Sequence, residues 1–600
     1  MLESISPIEF NAPFPGDYDS LIEEAYIEPI RTVIVVDDEF PSLDGLIAKE
    51  LNGSLPWKGQ ERDAKQAMDI LTYCRTRPRP WLVDFHDGRK ITISGEDKIA
   101  PYLHHSDLMI LDFHLDGDHG TGDNAIRILR NLADNNHFNM VIVYTKGENK
   151  KIEPVLRQIT LGLMLKEPSL SIEGRAKEII ENAISEWEND DPDIKSKLTD
   201  SISEKTYLDV RQNNNGSRSL LKSPEWSSIE ELLSQYTGKK LENTLWAKWL
   251  IAEKQDDIAG QFSETSHGEV SWTWSENFNW IKTDKLFLTV VDKSNAPKDL
   301  PGKLMTAIKN WQPSPHQLLM ARMRAQMDEH GIIAESRVLK DRFLQAGWMQ
   351  KIFSGSCIDR KQTLKHTVDR HWESLGDNLR SDIDAYADKL ATHLNAVGEA
   401  KTFERFFPSI DLQKDKSTIL KRLNNHACMK SNFEHSHLMT GHIIELGKEL
   451  WACLSPACDL VPGQKKTGWY GRLGNYLPFM AVHLQKVSDE TALREANQNI
   501  FIFIKDEPHL GCYSFCPMGL ANKNPQWEQF FAKNNGKFEN QMGELIIGRL
   551  NDSETGLVFG ENSAKIVGQL RYEYALNLLQ RLGTNLSRVG LDYHANSSPD

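Results

Sequence analysis

The sequence predicts an α/β fold, with a doubly wound, parallel, five-stranded sheet at the N-terminus. An α-rich middle region and a C-terminal α+β domain follow. Short apolar runs alternate with helical patterns over residues 31–190, which is typical of βαβ units. The run at 108–111 is apolar throughout, as in strands that helices cover on both faces. A chain of 600 residues is too long for one core, so we expect several domains.

Four of the predicted strands end in polar or charged side chains. In chain order, the strand at 32–36 is followed by Asp37 and Asp38, the strand at 108–111 by Asp112, the strand at 139–144 by Thr145, and a short apolar run at 163–165 by Lys166. The carboxyl ends of parallel strands meet at one edge of a sheet. We therefore expect these five side chains to converge there.

The predicted cluster has the chemistry of phosphoryl transfer. Three carboxylates suit Mg²⁺, which prefers oxygen ligands, and an aspartate can act as a nucleophile that forms an aspartyl phosphate. The Thr145 hydroxyl and a lysine ammonium could hold phosphoryl oxygens. Lys146 follows Thr145 directly, so the sequence leaves open whether Lys146 or Lys166 supplies the cation.

Residues 31–190 resemble the receiver domain of bacterial two-component response regulators. The resemblance lies in Val35-Val36-Asp37-Asp38, Leu111-Asp112 with Leu115, Tyr144-Thr145 and Lys166-x-Pro168. It implies a CheY-like fold, Asp112 as phosphoacceptor, Thr145 as switch hydroxyl and Lys166 as phosphate-binding lysine. It also implies a Mg²⁺ ion, with its ligands from Asp37, Asp38, Asp112 and the backbone carbonyl of His114. A degenerate receiver, whose carboxylates are only solvated loop residues, stays open as the alternative.

Polar stretches and the family's spacing set the domain boundaries that we predict. Asp37 and Asp112 lie farther apart than in the family, which places an insertion around 53–100. Asp190-Asp-Pro-Asp193 and the asparagine run at 213–215 mark a boundary. The segments are an acidic tail (1–30), the receiver domain (31–190), a linker (191–225), a mostly helical middle domain (226–400) and the α+β domain (401–600).

This organisation is similar to that of proteins in two-component-like antiphage defence systems of the Detocs type. The resemblance implies a phosphate sink or buffer, or another signalling component of antiphage defence. It implies as partners the histidine kinase of the same system and another receiver-containing effector. No other catalytic motif is found in the sequence, so we expect no further enzymatic activity.

The C-terminal region contains a second cluster of reactive residue types: Cys453, Cys458, Asp459, Cys512 and Cys516, preceded by His435, His437 and His442. Their spacing departs from the Cys-x2-Cys pattern of zinc sites and favours a buried structural motif. A metal site and a reactive Cys458/Asp459 pair are the alternatives. The competing functions are therefore an effector gated by the receiver, and a scaffold with an inert receiver.

Three tryptophans, Trp272, Trp274 and Trp280, lie in a strand-like segment. They could form a base-stacking or carbohydrate-binding surface. Alternating tryptophans in a strand are more often part of a sheet core, and we favour that interpretation.

Composition excludes several classes of protein. The formal charge of −15 argues against nucleic acid as a partner, because phosphate backbones require concentrated basic surfaces. No apolar run approaches the ~20 residues of a membrane helix, so we expect no membrane association. The N-terminus shows no secretory signal, and seven cysteines suit a reducing compartment. We expect a cytoplasmic protein, and homo-oligomerisation stays open.

Overall fold

The computed structural model describes residues 17–52, 61–88, 90–93, 96–99, 106–115, 121–149, 151–212, 216–275, 277–354, 357–433, 436–462, 468–506, 509–517, 524–554 and 556–587. Two compact units make up the chain. The first comprises Met1–Ile333 with Gly376–Val397, and the second comprises Ala334–Leu375 with Gly398–Asp600.

The helices are, in chain order, α1 (Asp17–Ile22), α2 (Leu43–Asn52), α3 (Glu61–Arg75), α4 (Asp123–Asp134), α5 (Glu153–Leu163), α6 (Gly174–Glu188), α7 (Ile194–Asp200), α8 (Glu204–Gln212), α9 (Trp226–Leu233), α10 (Asn243–Asp257), α11 (Leu300–Trp311), α12 (Pro315–Lys340), α13 (Arg342–Ser354), α14 (Cys357–Val397), α15 (Glu399–Phe406), α16 (Lys416–Cys428), α17 (Asp489–Arg494) and α18 (Tyr572–Leu586).

The strands are β1 (Thr32–Val36), β2 (Leu82–His86), β3 (Lys90–Ile93), β4 (Glu96–Ile99), β5 (Leu108–Leu111), β6 (Asn139–Thr145), β7 (Ser271–Trp274), β8 (Asn279–Lys282), β9 (Leu286–Asp292), β10 (His442–Leu446), β11 (Glu449–Cys453), β12 (Leu477–Val487), β13 (Phe501–Asp506), β14 (His509–Ser514), β15 (Trp527–Ala532), β16 (Glu544–Ser553) and β17 (Gly556–Gln569).

The sheet of the first unit confirms the predicted fold class. Its strand order is β2-β1-β5-β6-β9-β8-β7. The first five strands of this order are mutually parallel, and they have the 2-1-3-4-5 order of a doubly wound fold. Strands β7 and β8 pair antiparallel and extend the sheet beyond β9.

The fifth parallel strand differs from the one that the sequence analysis predicted. Residues 163–165 form no strand, because α5 runs through Leu163 and its last residues are buried. A short apolar run fits a buried helix end as well as a strand, which explains the error. Strand β9 takes the fifth position and pairs with β6 along its whole length.

A long segment between β6 and β9 therefore belongs to the first unit. It contains α5 to α10 and the β7–β8 pair. The stretch predicted as a linker, 191–225, contains α7, α8 and a 3-10 helix. Its side chains Leu198, Tyr207 and Leu220 are fully buried in the same apolar core as Leu111 of β5. The domain thus continues past residue 190 to include β9.

The region around 53–100 also departs from a minimal βα repeat. Helices α2 and α3 both lie between β1 and β2, and the β3–β4 hairpin lies between β2 and β5. These elements account for the long interval between Asp37 and Asp112.

The second unit contains an eight-stranded antiparallel sheet in the order β11-β10-β17-β16-β15-β12-β14-β13. Because β11 also pairs with β12, six of these strands close into a ring. Apolar side chains such as Trp451, Phe479 and Phe530 form one core. A second core brings Ala575 and Leu578 of α18 together with strand residues such as Phe501. No helix among the described residues is long and apolar enough to span a membrane.

Candidate functional site

Three carboxylates meet at the carboxyl edge of the parallel sheet. Strand β1 ends directly before Asp37 and Asp38, and β5 ends directly before Asp112. The register pairs Val36 with Leu111, so the two strand ends lie side by side. Oxygen atoms of the three carboxylates lie within 4.8 Å of one another, and all three residues are buried.

A lysine that the sequence analysis missed completes this cluster. Lys293 Nζ donates to Asp37 Oδ2 at 2.8 Å and to Asp112 Oδ2 at 2.9 Å. The register pairs Thr145 with Asp292, so Lys293 immediately follows the end of the strand beside Thr145. Its side chain is only 7% exposed, so the ammonium is held within the cluster.

Burial and the charges of neighbouring groups shift the pKa values of Asp37 and Lys293. Burial, and after it the charge of Asp112, raises the pKa of Asp37 to about 7, and Lys293 opposes the rise. Burial disfavours the charged form of Lys293, but the charges of Asp112 and Asp37 outweigh it and hold the lysine pKa above its usual value. The lysine is therefore a fixed cation between two carboxylates.

Thr145 lies at the end of β6, fully buried. Its Oγ1 is 3.2 Å from His114 Nδ1 and accepts a hydrogen bond from the Gly147 backbone N–H at 3.2 Å. His114 is two residues after Asp112, and its backbone N–H faces Asp112 Oδ1 at 3.5 Å. The structure thus brings Asp37, Asp38, Asp112, His114 and Thr145 to one edge, as the sequence predicts. The roles assigned to them stay predictions.

The structure does not bring Lys166 to this edge, and the placement predicted for it is wrong. Lys166 lies after α5 rather than after a strand, and its Nζ pairs with Asp256 at 2.5 Å. The side chain is 49% exposed. Lys146, the alternative cation, pairs with Glu39 at 2.8 Å. Lys293 contacts Asp112 in place of either.

The donor set fits a hard divalent cation. Among the described residues, Asp37, Asp38 and Asp112 are the one group of three with ligand atoms close enough to hold a metal ion. Buried carboxylates at this spacing repel one another, and one lysine does not neutralise three of them. Carboxylate oxygens are the ligands that Mg²⁺ selects.

A signal for Lys293 was present in the sequence. Residues 286–291 form an apolar and β-branched run that ends in Asp292-Lys293, which is the pattern of a buried strand with a charged end. Because a long segment separates this run from β6, the sequence alone did not indicate that the two strands pair.

The cysteines of the second unit lie in separate surroundings. Cys453 belongs to one apolar core, whereas Cys512 and Cys516 belong to the other. Burial raises the pKa of the Cys453 thiol to about 12. Cys458 is exposed, and its Sγ lies 3.5 Å from Asp459 Oδ1.

Of the predicted histidines that the structure describes, His437 and His442 form no metal-binding group with these thiols. His442 is fully buried. His437 hydrogen-bonds Ser436 at the surface. His435 lies outside the described residues.

Comparison with known proteins agrees with the sheet order and the acidic edge. Residues 29–187 match a protein-family model described as a response receiver domain. A search of curated proteins and a search of solved structures found no match to the chain. The matched segment includes Asp37, Asp38, Asp112 and Thr145 and ends before β9. The chain therefore carries a response-regulator receiver domain, whose fifth strand and lysine come from beyond the matched segment.

Proposed function

We propose that Asp112 accepts a phosphoryl group from a histidine kinase, with Mg²⁺ bound by Asp37, Asp38 and Asp112 and by the backbone carbonyl of His114. A receiver domain has a general role in phosphorelay signalling, and the finer assignment rests on one observation. The observation is the buried contact of Lys293 with both Asp37 and Asp112. Solvated loop carboxylates of a degenerate receiver would not need such a buried cation.

The chemistry follows from the positions of these groups. An oxygen of Asp112 attacks phosphorus, the bond between phosphorus and the donor imidazole nitrogen breaks, and the imidazole leaves with the electron pair. Lys293 supplies positive charge where the phosphoryl oxygens arrive. Thr145 can donate its hydroxyl proton to one of them. When bound, Mg²⁺ would screen the repulsion between the carboxylates and the phosphoryl oxygens.

Helix α2 supports docking of a helical donor beside the acceptor. The helix starts shortly after Asp38, with the Ser42 hydroxyl accepting from the Gly45 backbone N–H at 3.1 Å. Four apolar side chains on it are strongly exposed: Leu43, Leu46, Ile47 and Leu51. Their spacing of three, four and eight residues places them along one side of a helix, and such exposed apolar stripes are typical of interaction sites.

Phosphorylation with a small-molecule acyl phosphate tests the proposal without the kinase. The full-length protein is incubated with acetyl phosphate and Mg²⁺ and separated on a phosphate-affinity gel. We expect retarded migration of the wild type and none for Asp112→Asn. Equal mobility of the two proteins, whether both are retarded or neither is, would contradict the assignment of Asp112.

Within this proposal, we infer that the chain drains phosphoryl groups from the relay, as a sink or buffer in antiphage defence. The support is the organisation of the chain and the apolar filling of the ring in the second unit. Substoichiometric protein added to a phosphorylated kinase should then discharge several kinase equivalents. Discharge that stops at one equivalent would contradict draining and leave the acceptor assignment intact.

The exposure of Cys458 beside Asp459 favours a second candidate, an effector in the second unit that the receiver gates. Under that hypothesis, Cys458→Ala changes the effect of overexpression on cell growth. Under the draining hypothesis, Asp112→Asn changes it and Cys458→Ala does not. A scaffold with an inert receiver predicts that neither variant changes it.

A further inference from the structure

A large cavity lies beside the phosphoacceptor, and the phosphoacceptor function does not account for it. Its volume is about 1160 Å³, and its lining includes His114, Lys293 and residues of the long segment between β6 and β9. Cavities of ~300–1,000 Å³ enclose small-molecule ligands. A cavity of this size holds far more than one phosphoryl group.

Four lysines line the cavity: Lys146, Lys151, Lys205 and Lys293. Lys205 pairs loosely with Glu153 at 3.6 Å, and both side chains are about half exposed. Lys151 is exposed, and within the described part of the chain no acidic side chain pairs with it. The acidic lining residues are Glu153 and Asp292, and Asp292 is engaged by the Ser294 backbone N–H at 2.7 Å. Lys146 pairs with Glu39, and Lys293 pairs with Asp37 and Asp112. Lys151 and Lys205 are therefore the cations of the lining that favour an anionic ligand.

An indole lies in the same lining. Trp274 ends β7, two residues after Trp272. Trp272 is buried in the core, and Trp274 is partly buried against the same core while it also lines the cavity. The prediction of a sheet core is therefore confirmed for Trp272 and in part for Trp274, whose indole also contributes to the cavity lining. Nucleobases stack on aromatic side chains, and this stacking stabilises binding with little dependence on which base is bound.

We propose that this cavity binds a free nucleotide, with the base on Trp274 and the phosphates between Lys151 and Lys205. Lysine ammonium groups are established partners of phosphate. An aromatic surface and several cations in one cavity match the two chemically distinct halves of a nucleotide. Because His114 and Lys293 line the same cavity, the ligand would adjoin the acceptor and alter its phosphorylation.

Calorimetric titration of the full-length protein tests this directly, without reference to phosphorylation. The probes are ATP, GTP, CTP and UTP in Mg²⁺, with adenosine and ribose 5-phosphate as half-ligands. At least one triphosphate should bind saturably with one site per chain. Both half-ligands should bind at least tenfold more weakly than that triphosphate.

Variants of the lining identify the site. Lys151→Ala combined with Lys205→Ala should weaken binding of the triphosphate at least tenfold. Lys240→Ala, an exposed lysine outside the lining, serves as the matched control and should bind as the wild type does. Trp274→Leu should weaken triphosphate and adenosine binding but leave ribose 5-phosphate unchanged.

Three results would overturn the proposal. They are no saturable binding of any of the four triphosphates, unchanged binding in the lining variants, and ribose 5-phosphate binding as tight as that of the triphosphate. Acetyl phosphate labelling of Asp112 is measured separately, so failure of the nucleotide site and failure of the acceptor are distinguishable.

Discussion

Lys293 Nζ lies 2.9 Å from Asp112 Oδ2, although 181 positions separate the two residues in the chain. The pairing of β6 with β9 brings them together, since it closes the parallel sheet after a segment of several helices. The ammonium that contacts Asp112 thus comes from the end of a strand far outside the segment that matches the receiver-domain model.

Substitutions of Lys293 and Lys166 should have different effects on phosphorylation. Lys293→Ala removes the buried cation from Asp37 and Asp112, and loss of such a charged donor typically costs ~10²–10³ in rate. We expect acetyl phosphate labelling of Lys293→Ala to slow by at least about tenfold. Lys166→Ala removes only an exposed ion pair with Asp256 and should label at the wild-type rate. The reverse order would restore the assignment of Lys166.

Metal dependence follows from the buried carboxylates. Asp38→Asn removes one negative charge from the proposed Mg²⁺ ligands, and we expect weaker Mg²⁺ binding in an isothermal titration. Asp190→Asn, an exposed carboxylate elsewhere in the unit, is the control. Chelation with EDTA should also stop labelling of the wild type. Labelling that continues at full rate in EDTA would show that the acceptor works without a divalent cation.

A substitution in the exposed apolar stripe on α2 should impair kinase docking without changing the chemistry at Asp112. Ile47→Arg places a charge in the stripe and should slow transfer from the phosphorylated kinase by about tenfold or more, because a charge in an apolar contact is left without a partner. Labelling by acetyl phosphate should stay unchanged, since the carboxylates are untouched. Ile179→Arg, in an exposed apolar position of α6, is the control. Equal transfer to both variants would exclude the stripe as the docking site.

Gly122 lies against Phe113, the residue that follows Asp112. Its φ is +74°, and an added Cβ would overlap the ring of Phe113, which is fully buried directly after Asp112. Gly122→Ala should destabilise the first unit by about 2–4 kcal/mol, from backbone strain and overpacking together. Gly174→Ala shares a positive φ but meets nothing within 4 Å, so only the strain remains. Urea midpoints of the two variants measure the difference.

Much of the site could be predicted from the sequence, because the apolar run of a buried strand indicates where that strand ends. The apolar run before Asp112 and the β-branched run before Asp37 each predict a buried parallel strand, and both side chains lie at the edge where such strands end. Thr145 follows from the same argument. Local pattern was sufficient for these three residues. Lys293 also directly follows its strand, but its place in the site depends on the long-range pairing of β9 with β6.

The errors came from long-range pairing. The apolar residues at 163–165 fit either a strand or a helix end, and only the placement of β9 in the sheet excludes the strand. The run at 286–291 has the pattern of a strand, but nothing in it specifies a parallel partner at 139–145. In the same way, strand alternation places Trp272 and Trp274 on one face of β7. Only the surrounding structure makes Trp272 buried and leaves Trp274 partly exposed at a cavity.

The position of the phosphoryl group is the most direct measurement for the central claim. The full-length protein is labelled with acetyl phosphate and Mg²⁺, and borohydride then reduces any aspartyl phosphate to homoserine. Peptide mass spectrometry locates the reduced residue. We predict homoserine at position 112 and at no other aspartate. Reduction at a different aspartate, or none in protein that carries phosphate, would contradict the account.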